Sequence, residues 1–250
     1  MTIKISVCFF LCLFFSLQLE GQEASEEIKT APKTVEEVID RYLASVGGME
    51  SFREIKTAKM LVDVQGNELV ESDPGVTVFF AGDQFLSQHS TGDIYGFDGK
   101  MEWQQRKGRD RTINKFQSLR VLDVRNLFRI PISIEKLKEH MSLSTEKNSN
   151  ASEIVVLISP PVATPKNEVR LWPQVVTFDK DTGLLKSIRY WNQFHHFSDY
   201  QQVGSIRIPF RKKSNYDIGD EVEAEFVETI KSVELNIEIA EGFFEATTPE

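Results

Sequence analysis

Residues 175–213 read VVTFDKDTGLLKSIRYWNQFHHFSDYQQVGSIRIPFRKK, three apolar, aromatic-rich runs separated by turn chemistry at Asp179–Gly183 and at Val203–Gly204. Such a pattern predicts an antiparallel meander. From Ser205 to Arg211 the parity is strict: Ile206, Ile208 and Phe210 alternate with Ser205, Arg207 and Arg211, so one face of this strand is dry and the other wet. A sheet with one large dry face needs something to cover it.

Outward from that stretch, strand-like alternation fills most of the chain. Met60, Val62 and Val64 alternate up to a turn at Gly66-Asn67, and Val76, Val78 and Phe80 follow, closed by Gly82-Asp83. Phe85–His89 and Ile94–Gln105 come next, the latter with Asp98-Gly99 between aromatic residues, a strong hairpin signal. Residues His140–Glu146 and Ser152–Ser159 read as strands around a polar turn at Lys147–Asn150. The tail Ile239–Pro249 carries Phe243-Phe244, which are expected to pin the C-terminus to the sheet.

Helical signals are few. Thr34 with Glu37 forms a capping box, and Val35, Val38, Ile39, Tyr42, Leu43 and Val46 keep the spacing of one helical face until Gly47-Gly48 ends it. Met49, Phe52 and Ile55 suggest a further short helix. Phe116–Phe128 places Phe116, Leu119, Val124 and Leu127 on one helical arc, and Pro131 is expected to interrupt any helix that continues beyond it. Phe116–Ile134 is then either a mobile flap over the open face of the sheet or an ordinary connection packed on the core.

The N-terminus, MTIKISVCFFLCLFFSLQLEG, has one lysine and then an uncharged run from Ile5 to Leu19, shorter than a membrane span. It reads as a secretory signal peptide over residues 1–21, with an uncleaved anchor as the alternative, followed by a disordered acidic spacer over 22–33 and one domain over 34–250. Both cysteines, Cys8 and Cys12, lie in this leader, so the exported domain has no disulfide, thiol nucleophile or thiolate metal site. A net charge of −9 argues against nucleic acid as a partner.

With 40% hydrophobic and 27% charged residues, the chain has material for one large core. The segments Asp179/Thr182–Leu185 and Asp199–Pro209 resemble the recurrent motifs of the periplasmic lipoprotein-carrier (LolA/LolB-like) superfamily. The resemblance implies an α+β fold: a single curved antiparallel β-sheet, a half-open barrel or β-clam, with an N-terminal helix and a lid helix on the concave side. It also implies a periplasmic, monomeric carrier whose partners are lipid or lipoprotein acyl chains and delivery proteins at the inner and outer membranes. An envelope sensor of the same fold, binding a partner protein, is the second reading.

No G-x-S-x-G, H-E-x-x-H, phosphate-binding or dinucleotide-binding motif occurs, and the residues point to no enzyme, cofactor or metal. His195 and His196 are adjacent on a strand and face opposite sides, so they cannot chelate one ion, although either could pair with Asp199 or His89. Aromatic residues on the alternating strands are the candidate lining of an acyl-chain cavity: Phe80, Phe85, Tyr95, Trp103, Trp172, Tyr190, Trp191, Phe194 and Phe197, with Leu127 and Phe128 on the lid. The alternative for each is plain core.

One register is explicit in the sequence. Glu221, Glu223 and Glu225 alternate with Val222, Ala224 and Phe226, and a three-residue loop Asp217–Gly219 would set Phe210 opposite Phe226, Arg211 opposite Glu225 and Lys213 opposite Glu223, with positive φ at Gly219.

Overall fold

The computed structural model describes residues 32–114, 125–144, 152–161, 164, 172–217 and 223–245. The leader, most of the spacer, most of the flap arc at 116–128 and Gly219 lie outside the described residues. Helices α1 (Val35–Ser45) and α2 (Met49–Arg53) precede strands β1 (Thr57–Gly66), β2 (Asp73–Ala81), β3 (Gln84–Gln88), β4 (Ile94–Phe97), β5 (Glu102–Gln105) and β6 (Arg111–Asn114). Helix α3 (Ile130–Leu137) leads to β7 (Met141–Leu143), β8 (Glu153–Ile158), β9 (Val175–Asp179), β10 (Leu185–Arg189), β11 (Gln193–Val203), β12 (Ile206–Asp217) and β13 (Glu223–Leu235). All described strands form one 13-stranded antiparallel sheet in the order β6-β5-β4-β3-β2-β1-β13-β12-β11-β10-β9-β8-β7. Edge strands β6 and β7 do not pair with each other, so the sheet is curved but open. This is the α+β half-open clam.

Helix α1 starts as its sequence dictates: Thr34 Oγ1 accepts from the Glu37 N–H at 3.2 Å. Glu37 reaches one residue further back than a capping box requires, to the Lys33 N–H at 2.6 Å. Its apolar stripe, Val35, Val38, Ile39, Tyr42 and Leu43, is buried in the main core, with the Tyr42 ring 5.3 Å from that of Phe178. The Gly47-Gly48 stop lets the chain turn hard against the sheet. Gly47, at φ 108°, sits where a Cβ would lie 2.2 Å from the Ser205 carbonyl oxygen, and the Val46 carbonyl accepts from the Arg207 N–H at 2.8 Å. That bond is available because β12 pairs with β13 only from Arg211 to Asp217.

The stretch 175–213 forms four strands where three runs were expected, because the chain turns again at Tyr190–Asn192. The first motif builds the β9–β10 turn. Asp179 Oδ1 accepts from the Thr182 N–H and hydroxyl, both at 2.8 Å, and Arg41 of α1 donates to the Asp181 carbonyl at 2.6 Å. In the second motif the Tyr200 hydroxyl donates to the Leu185 carbonyl at 2.8 Å, and Gly204, at φ 58°, turns β11 into β12.

The β12–β13 register differs from the expected one. Phe226 pairs with Ser214, four positions beyond Phe210, and Lys212 pairs with Glu228. The strands run on to Asp217 and Glu223, so the expected three-residue loop is replaced by a connection over 218–222. The parity survives, since an even shift keeps each residue on its face. Glu225 stays on the wet side, with Lys213 Nζ at 2.6 Å in place of Arg211.

Pro131 does not interrupt a helix: it occupies the first turn of α3, where its missing N–H has no intrahelical partner to lose. Ile130, Ile134 and Leu137 of α3 are buried in the main core, which also takes in α1, α2 and the concave face of the sheet. The opposite face of β3–β6 is covered by the tail. Phe243 and Phe244 pack with Phe79, Leu86 and Trp103, and Trp103 Nε1 donates to the Phe244 carbonyl at 3.0 Å. Phe243-Phe244 do pin this end of the chain.

The Gly47-Gly48 stop yields a differential expectation. Gly47→Ala should destabilise the domain by about 3 kcal/mol or more, combining left-handed strain with a backbone collision. Gly48→Ala, at φ 84° and ψ 156° with no atom within 4 Å of the added Cβ, carries backbone strain alone and should cost less, about 1–3 kcal/mol. Urea denaturation of the two variants checks this ordering.

Candidate functional site

The even-numbered residues of β1 and β2 share the concave face with the odd-numbered residues of β3, as Val62–Val76 and Phe80–Phe85 pairs show. The helices fill the end of this face near Phe52, Phe80 and Phe128. Towards the other end a cavity of about 170 Å³ remains, lined by Met60, Val62, Val64, Val76, Val78, Phe85, Ser87, His89, Arg125, Leu127, Pro209, Lys212, Glu228 and Ile230. Its walls are set by strand parity: valine at alternate positions leaves space that a larger side chain would occupy.

Two of the eleven residues anticipated from the sequence, Phe85 and Leu127, line this cavity. Phe80 and Phe128 pack edge to face, with ring centroids 5.6 Å apart, beside a second, larger but more open and more polar hollow of about 510 Å³ between α2 and α3. Tyr190 and Phe197 are buried in the main core, and Trp172 packs partly buried against it with its ring 5.3 Å from His140. Tyr95, opposite Ser87, is half exposed beside His89. Trp103 lies on the other face of the sheet under the C-terminal tail. Phe194 sits against His196, and Trp191 is 73% exposed at the tip of the β10–β11 hairpin. Large rings fill space, so most of them are core, whereas the cavity lies where the alternation Met60-Val62-Val64 and Val76-Val78 places smaller groups.

Four polar residues of the lining were not singled out by sequence. Lys212 and Glu228 stand directly opposite each other on β12 and β13 and form an ion pair, with side chains 11% and 26% exposed. Taking such charges from water costs several kcal/mol per ion before their attraction is counted. Their positions are even-numbered, on the dry face of both strands, and the parity at Lys212 and Glu228 was the available signal. Arg125 donates to Glu102 at 2.8 Å and lies over the Phe85 ring at 4.6 Å.

His89 Nδ1 lies 2.9 Å from Asp73 Oδ2, to which the imidazole donates. Burial pushes the Asp73 carboxyl up, but the hydrogen bonds it accepts from Ser90, Gly75 and His89 outweigh this and hold it below the usual carboxylate range. His195, on the concave face, bonds Ser214 at 2.8 Å, while the neighbouring His196 pairs with Lys213 on the opposite face; its pKa is lowered by burial and then by that lysine. Neither pairs with Asp199 or His89. Among the described residues no three His, Cys, Asp or Glu side chains are grouped to hold a metal ion, and no helix is long and apolar enough to cross a membrane.

No family model and no curated protein matches the chain. Solved structures do. A domain from Vibrio parahaemolyticus inferred to be an outer membrane lipoprotein-sorting protein superposes with a TM-score of 0.58 at 12% identity, covering 85% of this chain and 96% of its own. The chain has a LolA-like fold. A DUF1329 family protein from Desulfovibrio piger shares it, with a TM-score of 0.53, 13% identity and coverage of 85% and 97%. At such identities the likeness extends to the fold. In this LolA-like clam the two sequence motifs are turn and strand-packing devices, which is why they point to architecture.

The depressed Asp73 carboxyl contributes stability that is fully present above the unfolded-state pKa and is lost as pH falls through the lower folded-state value. Asp73→Asn should therefore lower Tm at pH 7, and the gap to the parent should close below about pH 4. Thermal melts at several pH values between 3 and 7 read this out, with about pH 3–7 bracketing the carboxylate range.

Proposed function

We propose that this chain is a periplasmic carrier, exported by its N-terminal segment, that binds acyl chains of a lipid or lipidated protein on the concave face of the sheet and moves them towards the outer membrane. It works as a monomer with membrane-bound delivery partners and performs no chemistry on its cargo. The observation that carries the reading is the apolar cavity between β1, β2, β13 and the segment around Leu127. The fold shared with an inferred lipoprotein-sorting domain supports it.

An apolar cavity of about 150 Å³ holds one benzene, so the 170 Å³ cavity here takes a short piece of an acyl chain. Each methylene removed from water contributes about 0.8 kcal/mol, so a carrier gains by widening the cavity along the chain. The wall free to yield is the one carrying Arg125 and Leu127, since the rest of the lining comes from the sheet. The aromatic residues outside the cavity serve the clam as core.

Lipid extraction and mass spectrometry of protein purified from its own envelope should show a co-purified acyl lipid. Val78→Phe puts a ring into the cavity and should leave Tm within about 3 °C of the parent while lowering affinity for a fluorescent fatty-acid probe about tenfold. Unchanged probe affinity in a folded Val78→Phe protein, together with no co-purified lipid, would overturn the carrier reading.

A further inference from the structure

The dry face of β12 and β13 carries Ile206, Ile208 and Ile230, all buried, and one pair of charges. A matched apolar pair at Lys212 and Glu228 would serve folding at least as well as a buried ion pair does. Stability therefore does not account for the charges; their place on the cavity wall does. Two other basic side chains, Arg125 and His89, reach the same cavity from different elements. Among the lining residues a lysine, an arginine and an imidazole face a single carboxylate, in a chain whose net charge is −9. The carboxylates that bond Arg125 and His89, those of Glu102 and Asp73, are not part of the lining.

The lining combines apolar walls with a few basic groups. Met60, Val62, Val76, Val78 and Ile230 offer no polar side-chain atom. The Lys212 ammonium has three N–H donors, so it can hold Glu228 and a second oxyanion together. The geometry points to a head-group site, resting on the reading of the cavity as an acyl-chain site: we propose that the preferred ligand is a single-chain amphiphile with an anionic head, its tail among the valines and its oxyanion on Lys212. A fatty-acid carboxylate and a lysolipid phosphate share this chemistry. Glu228 holds the Lys212 side chain in place when no ligand is present.

Binding of four one-chain probes to the full exported domain separates the possibilities: oleate, oleoyl lysophosphatidylglycerol, oleyl alcohol and oleylamine. At least one anionic probe should bind about tenfold more tightly than the alcohol, and whichever of the two does so identifies the head. Lys212→Met should lower the affinity for the preferred anion about tenfold more than that for the alcohol, and Lys212→Arg should restore most of the difference. Because Lys212→Met leaves Glu228 buried without its partner, the variant Lys212→Met with Glu228→Leu, which removes both charges, is measured beside it and should behave alike. Equal binding of alcohol and anions, a preference for oleylamine, or loss of the alcohol in step with the anions in both variants would overturn the head-group site and leave the acyl-chain reading standing. Failure of all four probes to bind would remove both.

Discussion

Strands β1 and β13 pair from Ala58–Leu235 to Gly66–Phe226, and this antiparallel ladder joins two meanders into one sheet. Strands β1–β6 on one side and β7–β13 on the other are each built by local hairpins. Only the β1–β13 ladder brings residues some 175 positions apart into register, as in the Lys59–Glu234 ion pair at 2.9 Å. The cavity depends on it, because its walls come from both halves: Met60, Val62 and Val76 from one, Lys212, Glu228 and Ile230 from the other. Closing so long a loop is entropically costly, and the apolar surface buried along the seam must offset it.

The curved sheet has two dry faces to cover and uses different material for each. On the concave side, α1, α2 and α3 cover part of the surface and leave the cavity at one end. On the convex side, the tail closes over Leu86 and Trp103 as a small second core. Gly96 belongs to that second core for a steric reason, since a Cβ there would lie 2.3 Å from the Trp103 indole. The C-terminal half of α1 is tied twice, by Arg41 to the β9–β10 turn and by Val46 to β12, so the helix is part of the frame.

Several polar groups on the concave face are held by a partner among the described residues. Lys212 pairs with Glu228, His89 with Asp73, His195 with Ser214 and the Tyr200 hydroxyl with the Leu185 carbonyl. Unsatisfied, any of them would cost about 1–3 kcal/mol or more in such surroundings. Two of the four sit on the cavity wall, Lys212–Glu228 as a pair and His89 through its ring, where a ligand can meet them.

By itself the sequence determined what depends on nearest neighbours along the chain. The Thr34 cap, the Gly47-Gly48 stop, the Asp98-Gly99 turn and the alternation of β1, β2 and β12 follow from dihedral limits and from side chains pointing to opposite faces every second residue. Face identity was therefore legible even where register was not: the β12–β13 pairing stands four residues from the expected one, yet Glu225 and Lys213 keep the wet face, because parity is blind to an even shift. Tertiary structure alone decided the partners and the cavity. Which residues bound an empty space depends on how all the walls fill it, so ring size misled at Trp103 and Trp191 while small side chains at Val62 and Val76 marked the place. The pairing of Lys212 with Glu228 likewise became visible only once register set the two strands side by side, since nothing in either strand's own sequence names a residue across the ladder.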